Sequence, residues 1–154
     1  MLSAPKIRDV PVHHEVTENI ACTAQDLPAK LGRTYGEIEN WAARQHVRIS
    51  TPFARYRFFS TSACKLEAGY IVDRAVAGDG RIQVRDGGGY TALTALHVGP
   101  FSAVPRAYEA LEEFMRIHGY ASAGAPVEYY LTPPDTPPER QRAEIVWPVV
   151  PDEA

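Results

Sequence analysis

Apolar residues recur along this chain with two periods, and the order in which those periods alternate occurs twice. Leu31, Tyr35, Ile38 and Ala42 stand at i, i+4, i+7 and i+11, the spacing that lays one apolar stripe along a helix. Val104, Tyr108, Leu111 and Met115 repeat it. These stripes predict helices near Ala29–His46 and Ser102–His118. The second has Ser102 as a candidate N-cap, Pro105 in its first turn and Gly119 as its stop. Strand-forming runs flank each helix: residues 16–24 before the first with 53–60 and 66–75 after it, and 90–98 before the second with 127–132 and 143–149 after it. The proline-rich stretch Thr132 to Pro138 reads as a loop, because consecutive prolines cannot donate to a ladder.

The two halves align residue by residue. Arg33, Tyr35 and Glu39 match Arg106, Tyr108 and Glu112 at an offset of 73. Downstream, Pro52 and Tyr56 match Pro126 and Tyr130 at 74, and Glu67 and Tyr70 match Glu144 and Trp147 at 77. The added residues fall in the loop from Pro133 to Gln141, where insertions are tolerated. The pattern predicts an α+β fold: one domain over residues 1–154, built from duplicated strand-helix-strand-strand units at about 13–77 and 88–150. Its antiparallel sheet carries two helices on one face. A pseudo-twofold axis relates the copies and leaves a groove where their other faces meet, a common kind of ligand site. Asp86-Gly87-Gly88-Gly89 reads as a flexible linker between copies, since no Gly-Lys-Ser/Thr follows to make a phosphate loop.

Composition narrows the function. With 45% hydrophobic and 23% charged residues the 154-residue chain has a globular balance, and its net charge of −3 gives no basic face for nucleic acid. No apolar run reaches the roughly 20 residues that cross a bilayer, and the polar start, with His13, His14 and Glu15, is no signal peptide. Two cysteines, Cys22 and Cys64, fit free thiols in a reducing cytoplasm. Adjacent His13 and His14 point opposite ways on an extended chain, and His46, His97 and His118 lack ligand spacing, so neither a metal nor a cofactor is expected.

The second half carries His97-Val98-Gly99-Pro100-Phe101, then Tyr108, Leu111 and Phe114, then Pro126-Val127-Glu128-Tyr129-Tyr130-Leu131, and finally Glu144-Ile145-Val146-Trp147-Pro148-Val149. Together these resemble the gyrase-inhibitor-like (GyrI-like) small-molecule-binding family, which includes the effector-binding domains of bacterial AraC-type and MerR-type multidrug-responsive regulators. The first half resembles it less, through Tyr56 and the hairpin strand from Glu67 to Val72. The resemblance implies an aromatic-lined groove whose carboxylate, Glu128 in this chain, pairs with bulky aromatic or cationic lipophilic compounds. Lacking room for a helix-turn-helix, the chain resembles a stand-alone binding module.

On a pleated strand Glu128 and Tyr130 share one face, and Val127, Tyr129 and Leu131 the other. With the odd-numbered set under the helices, the even-numbered set would face the groove, and a carboxylate among aromatics would have its pKa raised until a cation arrives. The competing reading is a solvated glutamate paired with Arg55 or Arg57. Tyr56 with Tyr130 and Tyr70 with Trp147 form repeat-related pairs that could line a groove or fill a core; Trp41 and Phe114 share one helix position and favour the core. Two further functions stay open from the resemblance. One is hydrolysis of strained, cyclopropane-bearing electrophiles, with Glu128 assisted by Tyr130 or Tyr56. The other is a gyrase-inhibitor-like interaction with a protein.

Overall fold

The computed structural model describes residues 1–153. Its elements in chain order are β1 (Lys6–Val10), β2 (His13–Cys22), α1 (Leu27–Gln45), β3 (Ile49–Phe59), β4 (Cys64–Val72), β5 (Gln83–Gly87), β6 (Tyr90–Val98), α2 (Val104–His118), β7 (Tyr120–Ser122), β8 (Val127–Tyr130) and β9 (Arg142–Pro151). The chain is α+β, its strands pair antiparallel, and they group with the helices into two compact units.

One unit spans residues 11–89 and orders its strands β5-β2-β4-β3. The other combines residues 1–10 with 90–153 and orders its strands β1-β6-β9-β8, with β7 added on β9. The registers correspond. Val16 lies opposite Tyr70 and Val84 in one unit, as Leu93 lies opposite Trp147 and Ile7 in the other. The edge strands β1 and β5, absent from the pattern read above, are therefore exchanged: β1 precedes the first repeat in sequence but pairs with the second, and β5 does the reverse. Both are five residues long with only one or no buried position, too short and too polar for a periodic signal.

Helix α1 starts with Pro28 in its first turn and ends at His46, which adopts a left-handed φ of 55°. The corresponding stop of α2 is Gly119, with a φ of 75°, where glycine carries no Cβ penalty. Ser102 does not cap α2. It sits in a 3₁₀ turn, Phe101–Ala103, and the cap position falls to Ala103. Each helix buries one face on its sheet. In the first unit Ile38, Trp41 and Ala42 pack on Val16, Tyr70 and Val72; in the second Val104, Ala107, Leu111 and Met115 pack on Leu93, Ala95, Ile145 and Val149.

The glycine run between repeats is built into the fold, not a flexible linker. Gly87 ends β5, where a Cβ would come within 2.2 Å of Glu15 Oε2 and 2.8 Å of His13 Nε2. Gly88 has a φ of 71°, and its missing Cβ would lie 2.1 Å from the Pro11 carbonyl oxygen. Only glycine permits both the left-handed backbone and that approach.

Candidate functional site

Glu128 is the central residue of the candidate site. It pairs across the ladder with Ile145, a member of the core beneath α2, so the Glu128 side chain lies on the helix side of its sheet. This corrects the expectation that the odd-numbered residues would lie under the helices. The even-numbered set does, and Val127 and Tyr129 occupy the opposite face.

Glu128 is only 7% exposed, which removes the solvated reading. Its Oε2 accepts a hydrogen bond from the Tyr108 hydroxyl of α2 at 2.8 Å, and its Oε1 accepts one from the Tyr130 hydroxyl at 2.9 Å. Burial pushes its pKa up, while the two phenols and nearby His97 pull it part of the way back. The surrounding rings are only partly buried. Tyr108 meets Trp147 edge-on with centroids 5.7 Å apart, and Phe101 meets Tyr130 at 5.4 Å. The Trp147 indole N–H donates to Ser122 Oγ at 2.9 Å, which fixes the ring. The result is a buried acid bonded to two phenols, each of which meets a second aromatic ring, and all four rings keep some open surface.

Tyr108 was read from the sequence as part of the helix stripe, and its role at Glu128 went unseen. The signal lay in the repeat: Tyr35, its counterpart, also places a hydroxyl on a hairpin strand, donating to the Phe53 carbonyl at 2.8 Å. The position matching Glu128 in that half is Ala54, so the acid exists in one repeat only.

The other expected site residues are distributed as follows. Trp41 is fully buried in the core under α1. Tyr70, 9% exposed, packs edge-on against Tyr35 and donates its hydroxyl to Glu39. Tyr56 is half-buried and meets Phe59 edge-on at 6.0 Å. Phe114 packs on the second core with its ring 4.1 Å from that of His118.

Arg55 and Arg57, the expected partners of a solvated Glu128, belong to an ion network in the first unit. Arg55 holds fully buried Glu15 through both guanidinium nitrogens, at 2.9 and 3.0 Å. Arg57 and Arg85 bind Glu67, which is also buried. In the second unit the corresponding pair, Arg8 with Glu144, is a single contact at 3.4 Å between half-exposed side chains.

A cavity of about 220 Å³ in the first unit is lined by Glu18, Lys30, Arg33, Thr34, Glu37 and Arg81. It is smaller than the roughly 300 Å³ at which drug-sized pockets begin, and its lining is charged rather than aromatic. Burial, with Glu37 alongside, lifts Glu18 to about 7 despite Arg81. Among the described residues no cluster of His, Cys, Asp and Glu could hold a metal, and no helix is long and apolar enough to cross a membrane.

Comparison with known proteins adds the following. The C-terminal domain of EcmrR has the same fold, with a TM-score of 0.80 at 18% identity, over 96% of this chain and 98% of that one. In the EcmrR–DNA complex the matched region spans 57% of the EcmrR chain. SAV2435 bound to tetraphenylphosphonium gives a TM-score of 0.68 at 14% identity, covering 96% of this chain and 94% of that one. A hydrolase from Listeria innocua gives 0.68 at 13% identity, covering 95% and 91%. At these identities the likeness establishes the fold. Among the curated proteins nothing matches significantly. The model of the GyrI-like small molecule binding domain matches residues 16–150, most of the chain, and the chain accordingly belongs to that family.

Proposed function

We propose that this protein captures bulky aromatic or lipophilic organic cations beside Glu128, as a sensor or sequestering module in a bacterial cytoplasm. The observation that carries the reading is the carboxylate itself, 7% exposed and held by two phenols whose rings stay partly open. An ionised acid in that position is stripped of water, and an arriving cation relieves the penalty. Each ring it meets adds about 0.5–2 kcal/mol of cation–π attraction. Tyr108, Tyr130, Trp147 and Phe101 are the rings assigned to the ligand; Trp41, Tyr70 and Phe114 support from the cores, and Tyr56 stands in the other repeat. SAV2435, which shares the fold, has a structure bound to tetraphenylphosphonium, and such a cation suits the chemistry proposed here. The two unbonded thiols suit a reducing compartment.

The test is a fluorescence titration of rhodamine 6G or tetraphenylphosphonium into the wild type and Glu128→Gln. The amide keeps shape and loses charge, so affinity should fall at least about 10-fold, equivalent to about 1.4 kcal/mol. Equal affinities would remove Glu128 from the site.

A second reading has one observation in its favour: Tyr108 and Tyr130 present acidic O–H groups to opposite oxygens of one carboxylate, an arrangement able to shuttle a proton. It would let the same residues hydrate a strained electrophile. Incubation with a cyclopropane-bearing electrophile and mass spectrometry for the hydrated product decides it, and turnover equal to buffer rejects it.

A further inference from the structure

We propose that Cys22 and Cys64 form a modification site: a peroxide or a low-molecular-weight disulfide converts them to a reversible intramolecular disulfide tying β2 to β4. They are the only two cysteines in the chain, and the fold places them directly opposite each other across the antiparallel ladder, at the last residue of β2 and the first of β4. Residues so paired have Cα atoms about 4.5 or 5.5 Å apart, according to the type of pair. Both separations fall within the roughly 4.4–6.8 Å that a disulfide spans. Directly opposed side chains also emerge on the same face with Cβ atoms about 4.5–5.5 Å apart, so reaching the roughly 3.5–4.5 Å of a disulfide takes rotamer changes and a small approach of the two strand ends.

Both thiols are free in this state. Cys64 is 1% exposed and donates its S–H to the Ser60 carbonyl at 3.5 Å, whereas Cys22 keeps some exposure. An oxidant therefore reaches Cys22 first and Cys64 resolves the product. With a peroxide, the Cys22 thiolate attacks the O–O bond to give a sulfenic acid and expel hydroxide. The Cys64 thiolate then attacks that sulfur, and the second oxygen leaves as water. Two thiols and one hydrogen peroxide become one disulfide and two waters. With a small disulfide, two small thiols leave instead.

The groups facing Cys22 set the pace. Burial raises its pKa, Cys64 and Asp26 add to the rise, and Lys30 at the start of α1 opposes it. Little thiolate is present at neutral pH, so the pair closes slowly there and faster as pH rises. The site lies at the end of the ladder, where the chain turns toward α1 and the Ala24 N–H already reaches the Thr61 carbonyl at 3.3 Å, so closure disturbs no central pairing.

The experiment treats the native chain with excess hydrogen peroxide or oxidised glutathione at pH 8, then measures intact mass, free thiols and migration on a non-reducing gel. The expected result is loss of two hydrogen masses and of both thiols from a monomer, with a raised melting temperature, all reversed by dithiothreitol. Cys22→Ser and Cys64→Ser should each show no such product. The proposal is overturned if the wild type keeps both thiols, stops at a glutathione adduct on Cys22 with Cys64 free, or forms only linked dimers.

Discussion

Arg55→Met should destabilise the protein more than most single changes. Glu15 has no exposed surface, and Arg55 meets both of its oxygens. Burial alone would raise the Glu15 pKa. The hydrogen bonds from His13 and Arg55 reverse this and bring it to about 2 from 4.5. That gap corresponds to about 3 kcal/mol at about 1.36 kcal/mol per unit, the same size as the roughly 3–5 kcal/mol seen when a buried pair loses one partner. A lowered carboxylate pKa stabilises the fold fully above 4.5, and the contribution disappears as pH falls toward 2. His13, whose pKa Glu15 raises through a hydrogen bond at 3.1 Å, contributes fully below 6.5 and loses its share as pH rises past its elevated value. The network is therefore strongest between about 4.5 and 6.5. Because His13 keeps its bond to Glu15 and accounts for part of that gap, urea unfolding at pH 6 should show Arg55→Met about 2 kcal/mol below wild type with an unchanged m-value, and the deficit should shrink as pH falls from 4.5 toward 2. Replacing both partners, Glu15→Leu with Arg55→Met, should recover part of the loss, because Arg57 and Arg85 still pair Glu67 while His13 loses its carboxylate. A single variant within about 0.5 kcal/mol of wild type, the scatter of ordinary surface changes, would refute the reasoning.

Two further outcomes can be measured alongside the ligand and disulfide experiments. Glu18, held near 7 by burial and Glu37, favours the fold fully below 4.5 and loses that contribution as pH rises through 7. Glu18→Gln should remove this slope, leaving the variant about 1–3 kcal/mol more stable than wild type at pH 8 by urea unfolding; a parallel pH profile in both proteins would discard the assignment. Gly69→Ala would place a Cβ 1.8 Å from the Val16 carbonyl oxygen, separating β4 from β2 at a cost of about 3 kcal/mol or more, and a melting temperature matching wild type would show that the strands can yield.

The long, periodic elements were legible in the sequence because their burial repeats with the helix or strand period. The α2 stripe and the Gly119 stop are where the pattern placed them, and the Tyr70–Trp147 correspondence holds in the strand registers. Where side chains do two jobs, the pattern misled. Tyr108 counted as an apolar stripe residue, yet its hydroxyl serves Glu128. The face of β8 was assigned by its apolar members, but Val127 and Tyr129 are buried away from the helix. The burial of Glu15 and Glu67 has no local signal, since nothing in a strand reveals arginines arriving from β3 and β5. The edge strands left no signal because each has five residues and at most one buried position.

The crossed ownership of β1 and β5 bears on how the protein could be divided. A fragment cut between the sequence repeats, after Gly78, would carry a strand with no ladder to join and would leave β2 an open edge, inviting association with other copies. A circular permutant opening at Pro11, with residues 1–10 relinked beyond the present end, would make each unit continuous in sequence. Such a chain could be split into halves that each hold a full set of strands, and only the half containing residues 90–153 would bring Glu128 and its phenols with it.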